Sequence, residues 1–177
     1  MAEATIAGVI VGGAISCAST IGITFAFEYY KQRRDAKNLA LSFKGSIAAI
    51  LSIVEERQYV KLIDETVATA NSGKPFGFPI VRARRNYVEL YNKNVERIGI
   101  LHPLLAEKIP VFYTYVNSLL EDLESAAEGD LGGLTAPLML KLLLEFQTLL
   151  AKTLELGSEI IAIIDSKYSG PVVTIPG

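Results

Sequence analysis

The sequence holds one cysteine and one histidine in 177 residues. A single cysteine excludes a disulfide within the chain and any cysteine-rich zinc site. A single histidine excludes the paired-histidine metal motifs, and no Glu-x-x-His is present to build a di-iron carboxylate centre. Downstream of the first apolar run there is no G-x-x-x-x-G-K-[ST], no G-x-G-x-x-G and no G-x-S-x-G, which argues against a nucleotide-dependent enzyme or a serine hydrolase. A net charge of -2 leaves too little positive field for a general nucleic-acid binder. The reading therefore nominates no catalytic residue, no cofactor, no metal and no nucleic-acid partner.

Apolar residues make up 50% of the chain, and mean hydropathy is +0.34. Ala4 to Phe27 runs for 24 residues without a charge. As a helix this run would be about 36 Å long, enough to cross a hydrocarbon core of about 30 Å with some tilt. Only Glu3 precedes it, whereas Lys31, Arg33, Arg34 and Lys37 follow. The excess of Lys and Arg on one flank predicts a single-pass span with the N-terminus outside and the rest cytoplasmic. Phe25, Phe27, Tyr29 and Tyr30 fall where interfacial aromatics belong, and Lys31, Arg33 and Arg34 where lipid headgroups are met. A cleaved signal peptide would need a basic start and a shorter apolar core. An exported lipoprotein is the remaining alternative, with Cys17 after Ala14-Ile15-Ser16, but ten further apolar positions past Cys17 favour a small residue packed in the bilayer. Gly8 and Gly12 give a G-x-x-x-G spacing that extends to Ala4 and Ser16. Gly8, Gly12 and Ser16 are the candidate face for helix–helix association in lipid.

Beyond the span the periodicity is helical. Ala40, Phe43, Ile47, Ile50 and Val54 form one seam, and Val60, Ile63, Val67 and Ala70 carry the same period to about Asn71, with a bend near Arg57-Gln58 left open. Asn71-Ser72-Gly73-Lys74-Pro75 stops it, and Phe76-Gly77-Phe78-Pro79 reads as a loop tucked onto the helices. A helix is expected over 86–98, with Tyr87, Tyr91, Asn94, Val95 and Ile98 on one face and Gly99 as its C-cap. His102-Pro103 opens a short turn and Pro110 restarts the chain as a first-turn proline. Ile109, Phe112, Tyr113, Val116, Leu119, Leu120 and Leu123 then form a wide apolar face. After a break at Glu128 to Gly133, Thr135 caps a last helix with Pro137 in its first turn. There Lys141, Glu145, Thr148, Lys152, Glu155 and Glu159 make one narrow polar stripe on an otherwise apolar cylinder. A helix so apolar belongs inside a bundle or against a partner, which nominates Leu142, Leu143, Leu149 and Leu150 as an interaction surface.

The expected organisation is thus all-α: an anchor and basic juxtamembrane segment over 1–35, a bundle of about four helices over 36–168, and a disordered tail over 169–177. Charge divides along it, with 13 basic against 8 acidic groups in 28–97 and 4 against 10 in 98–177. The densest basic cluster, Arg82, Arg84 and Arg85 with Lys74 nearby, is a candidate for lipid headgroups or a solvated loop. Glu55-Glu56 and Asp64-Glu65 are adjacent pairs that point about 100° apart on a helix and read as solvated. His102 reads as a capping or surface residue.

Three stretches, Val54-Glu-Glu-Arg-Gln-Tyr-Val-Lys-Leu-Ile63, Tyr91-Asn-Lys-Asn-Val-Glu-Arg-Ile-Gly-Ile-Leu101 and Pro110-Val-Phe-Tyr113, resemble small single-pass bacterial proteins without an assigned activity. The resemblance implies an anchor followed by helices, and no site residues. The functional expectation is a non-enzymatic, membrane-tethered interaction or scaffold module whose partners are membrane lipid and a second copy or another membrane protein. The alternative is a membrane-coupled sensor with a small-molecule pocket near Phe76, Phe78 and Tyr113.

Overall fold

The computed structural model describes the backbone of residues 2–81 and 85–168, and the side chains of residues 23–81 and 86–168. Among the described residues there is no strand. Five α-helices follow in order: α1 (Ala2–Glu56), α2 (Tyr59–Asn71), α3 (Glu89–Asn94), α4 (Pro103–Glu128) and α5 (Ala136–Tyr168). Short 3-10 turns cover Arg85–Val88, Val95–Ile100 and Asp130–Gly133. The chain divides into two compact units, Met1–Asn38 and Leu39–Gly177. The division falls three residues beyond the expected limit at 35. The tail over 169–177 lies outside the described residues.

In the first unit every side chain from Ile23 to Arg34 is exposed. The second unit builds its core from helical seams. In α1, Ala40, Phe43 and Ile47 are fully buried at spacings of three and four residues. In α5, Leu143, Phe146, Leu150, Thr153, Gly157, Ile160 and Ile164 are buried with the same alternation. These seams meet α4, which buries Leu105, Ile109, Phe112, Tyr113, Val116, Leu119, Leu120, Leu123 and Ala126. One apolar cluster gathers Phe43, Ile47, Ile98, Leu105, Ile109, Phe112, Tyr113, Ile160 and Ile164. A second gathers Ile63, Val67, Phe78, Leu119, Leu123, Leu143, Phe146 and Leu150. Phe78 comes from the 76–79 loop and meets Phe146 edge-on at 5.2 Å, as its expected docking onto the helices requires.

The helix ends have local causes. Gly73 at φ 72 follows α2 in the left-handed region, and its N–H donates to Ala70 O at 3.0 Å. His102 caps α4 by accepting from Leu104 N–H at Nδ1, Pro103 sits in the first turn, and Gly129 at φ 87 ends the helix. Thr135 O accepts from Met139 N–H at 2.9 Å as α5 begins. Gln58 has no such licence. At φ 53 and ψ 37 it is a non-glycine residue in the left-handed region, and it turns the chain from α1 into α2.

Four sequence expectations change. The helix over 86–98 is a 3-10 turn, the six-residue α3 and a second 3-10 turn, which ends at an extended Leu101 rather than on Gly99. Val95 is consequently 47% exposed instead of facing inward with Ile98. Pro110 does not restart the chain. It lies within α4, where buried Leu105, Ile109, Phe112 and Tyr113 on both sides outweigh the one backbone bond that proline removes.

Candidate functional site: an aromatic–basic collar and an apolar cavity

The first site is a collar on α1. Phe25, Phe27, Tyr29 and Tyr30 are between 60% and 74% exposed, and the two tyrosine rings meet edge-on at 6.1 Å. Lys31, Arg33, Arg34 and Lys37 follow, all exposed. Among the residues with described side chains, one helical stretch, Ile23–Glu56, is long and apolar enough to cross a membrane by length and composition. Of its apolar residues, Leu39, Ala40, Phe43 and Ile47 belong to the core of the second unit, with Ile50 and Leu51 packed against it. The uncharged run from Ala4 to Phe27 begins upstream on the same helix. Gly8, Gly12 and Ser16 lie on α1, but their side chains lie outside the described residues, as do those of Arg82, Arg84 and Arg85.

The nominated surface on α5 needs correction. Leu143 is fully buried and Leu150 is 6% exposed, both in the second cluster. Together with Phe146 they occupy the inward seam, so they hold the core instead of offering a surface. Leu142 and Leu149 are half-buried beside it. The exposed leucines of α5 are Leu138 and Leu144, at 53% and 42%. The expected polar stripe, Lys141 to Glu159, is exposed throughout.

The second site is a cavity of about 90 Å³ within the second unit. It lies where the two clusters meet. Val116 and Leu120 line it from one, Ile63, Leu119, Leu123, Phe146 and Leu150 from the other, and Ile50, Leu51 and Val54 of α1 complete the wall. Native cores rarely leave voids larger than a water molecule. This space is instead half-open to solvent. Phe76, Phe78 and Tyr113 are not among its lining residues. Tyr113 is instead fully buried in the first cluster, stacked on Tyr91 at 4.8 Å and donating its hydroxyl to Ser46 Oγ at 2.9 Å. Burial pushes its phenol pKa up, against the Ser46 hydrogen bond.

Few polar atoms line the cavity. Thr153 Oγ1 donates to Leu149 O at 2.7 Å and is satisfied within its own helix. Tyr59 and Tyr87 are also among its lining residues. Beside them stands Arg57, whose Nη1 donates to Tyr59 Oη at 3.1 Å. That hydrogen bond is the main cause that raises the guanidinium pKa, with smaller contributions from Tyr87 and Glu56. The sequence singled out neither Arg57 nor this cavity. The only local signal is a helix broken at Glu56-Arg57-Gln58-Tyr59 without glycine or proline.

The two carboxylate pairs read as solvated are so placed. Glu55, Glu56, Asp64 and Glu65 are exposed. Asp122 is half-buried, and desolvation, Glu121 and Glu145 push its pKa up. Among the described residues, no three His, Cys, Asp or Glu side chains cluster as metal ligands. His102 serves as a helix cap, and its backbone N–H donates to Tyr168 Oη at 3.0 Å. No protein-family model, no curated protein and no solved structure matches the chain.

Proposed function

We propose that this chain is a non-enzymatic, membrane-tethered helical scaffold. Ala4 to Phe27 is its single span, and the helical unit from Leu39 onward is held at the cytoplasmic face. The supporting observation is the order of features along α1. An uncharged run of membrane length leads into four exposed aromatic rings and then four exposed cations. Exposed rings at such density are costly in water. At a headgroup boundary the same rings and cations are anchors. The partners are anionic lipid and a second copy or another membrane protein, with Gly8, Gly12 and Ser16 as the contact within the bilayer. Arg82, Arg84 and Arg85 are further contacts for headgroups.

Alkaline carbonate washing of membranes tests the anchor, and protease digestion of sealed vesicles tests the side. The expected results are retention in the pellet and protection of the residues after Lys37 inside the vesicle. Release by carbonate, or digestion of that part from outside, refutes the reading. Crosslinking in membranes is expected to yield a dimer or a heterologous complex that Gly8→Leu and Gly12→Leu reduce. A monomer that retains no partner refutes the scaffold role. The second reading, a membrane-coupled sensor, is favoured by one observation, the apolar cavity in the helical unit.

A further inference from the structure

We infer that the cavity is the tail-binding site for a single-chain carboxylate of medium length, with Arg57 as the cation that meets its head. The inference concerns the unit from Leu39 onward and holds with or without the membrane tether.

Three observations converge. The first is the void. Its wall is almost wholly side-chain hydrocarbon, and its one hydroxyl away from the tyrosines is already bonded. A site without polar partners does not hold ordered water and is filled by apolar matter. Its size also selects. An engineered void of about 150 Å³ accepts benzene, and this one is about 90 Å³. The end of an unbranched alkyl chain suits a narrow apolar space of this volume.

The second observation is a cation held to the wall through Tyr59. Tyr59 and Tyr87 are among the lining residues, and the Tyr59 hydroxyl accepts a hydrogen bond from Arg57 Nη1 at 3.1 Å. The guanidinium is exposed, so its remaining donors are accessible to an incoming carboxylate, which it recognises in fork geometry. Glu56 is the neighbouring carboxylate, and it accepts a hydrogen bond from Ser52 Oγ at 3.2 Å. An apolar pocket with a cation at its side describes an amphiphile with one negative end.

The third is the backbone. The left-handed Gln58 joins α1 to α2. Walls of the cavity come from both sides of it, Ile50, Leu51 and Val54 before and Tyr59, Leu62 and Ile63 after. Backbone strain at a non-glycine residue persists where the surroundings impose it, and it clusters at ligand sites. Here it sits beside Arg57 and between the two walls.

The test uses the full chain in lipid nanodiscs and octanoate carrying a diazirine at its terminal carbon. After irradiation, peptide mass spectrometry is expected to place saturable label within residues 116–123 and 146–154, displaced by excess plain octanoate. Octanol is expected to compete about fivefold less well, and Arg57→Gln to weaken octanoate by a similar factor while leaving octanol unchanged. Val54→Phe and Leu120→Phe, which fill the space from α1 and from α4, are expected to abolish the label. Label confined to residues 4–27, or rising with dose without saturation, overturns the site. Equal competition by octanol together with no effect of Arg57→Gln overturns the role of the head. Arg57 is exposed, so its replacement keeps that arm decisive even if a filling variant fails to fold. Membrane release by carbonate would refute the tether and leave this result untouched.

Discussion

Gly157 offers a sharp test of how α5 packs. A Cβ added there would lie 2.9 Å from Phe112 Cε2, 3.1 Å from Leu51 Cδ2 and 3.3 Å from Ile47 Cγ2. These neighbours differ in what they can yield. Leu51 borders the cavity and can rotate into it. Ile47 and Phe112 are fully buried, and the Phe112 ring is fixed edge-on against Tyr113 at 5.2 Å. Replacing a helical glycine with alanine gains about 1 kcal/mol of backbone preference, whereas overpacking a close-packed core costs about 1–3 kcal/mol. With Phe112 unable to move, the clash wins, and Gly157→Ala is expected to destabilise by roughly 1–2 kcal/mol, lowering Tm by about 3–6 °C. Gly45 supplies the internal control. It lies in α1, is exposed, and a Cβ there would meet nothing within 4 Å. Gly45→Ala is therefore expected to stabilise by up to about 1 kcal/mol. Thermal unfolding of the full chain followed by far-UV circular dichroism reads both. If Gly157→Ala raises Tm as Gly45→Ala does, α5 does not approach α1 and α4 as described, and the reasoning fails.

Gln58→Gly is expected to stabilise by about 1 kcal/mol, because only glycine takes the left-handed region without steric cost; chemical denaturation checks it, and a loss would show that the Gln58 side chain contributes more than the strain removes. Leu143→Ala is expected to cost about 2–5 kcal/mol and Leu144→Ala under about 1 kcal/mol, since one side chain is fully buried and the other 42% exposed; equal losses in the same melts would count against the inward seam of α5. Asp122 has a folded pKa raised above its ordinary value, so the native state holds its proton more tightly than the unfolded chain. The stabilisation from that proton is present below the unfolded pKa and is lost as pH rises through the folded pKa. Asp122→Asn is accordingly expected to raise Tm relative to the parent at neutral pH, with the gain shrinking on acidification.

Where one face of a helix had to be buried, the sequence was legible. Ala40, Phe43 and Ile47 in α1 and the exposed stripe of Lys141 to Glu159 in α5 both follow from spacing alone, because an amphipathic pattern has one orientation that covers its apolar side. Leu143 and Leu150 were misplaced for a related reason. On a helix that is apolar around most of its girth, hydrophobicity no longer tells inward from outward, and contact with α2 and α4 decides. Pro110 and the segment 86–98 show tertiary packing overriding local signals, since a proline survives inside α4 and a periodic stretch becomes mostly 3-10 turn. The cavity was illegible because a void is a mismatch between side chains far apart in the chain. The neighbourhood of Arg57 came with it, since Gln58 breaks the helix without either residue that normally announces a break.

The hydrogen bond from His102 N–H to Tyr168 Oη closes a loop through most of the second unit, tying the first turn of α4 to the last residue of α5. A chain shortened by one turn there would lose more than a frayed end. The cap that starts α4 would lose its long-range hold, and unwinding would begin at both helices together. Tags and truncations meant to leave the fold intact therefore keep Tyr168.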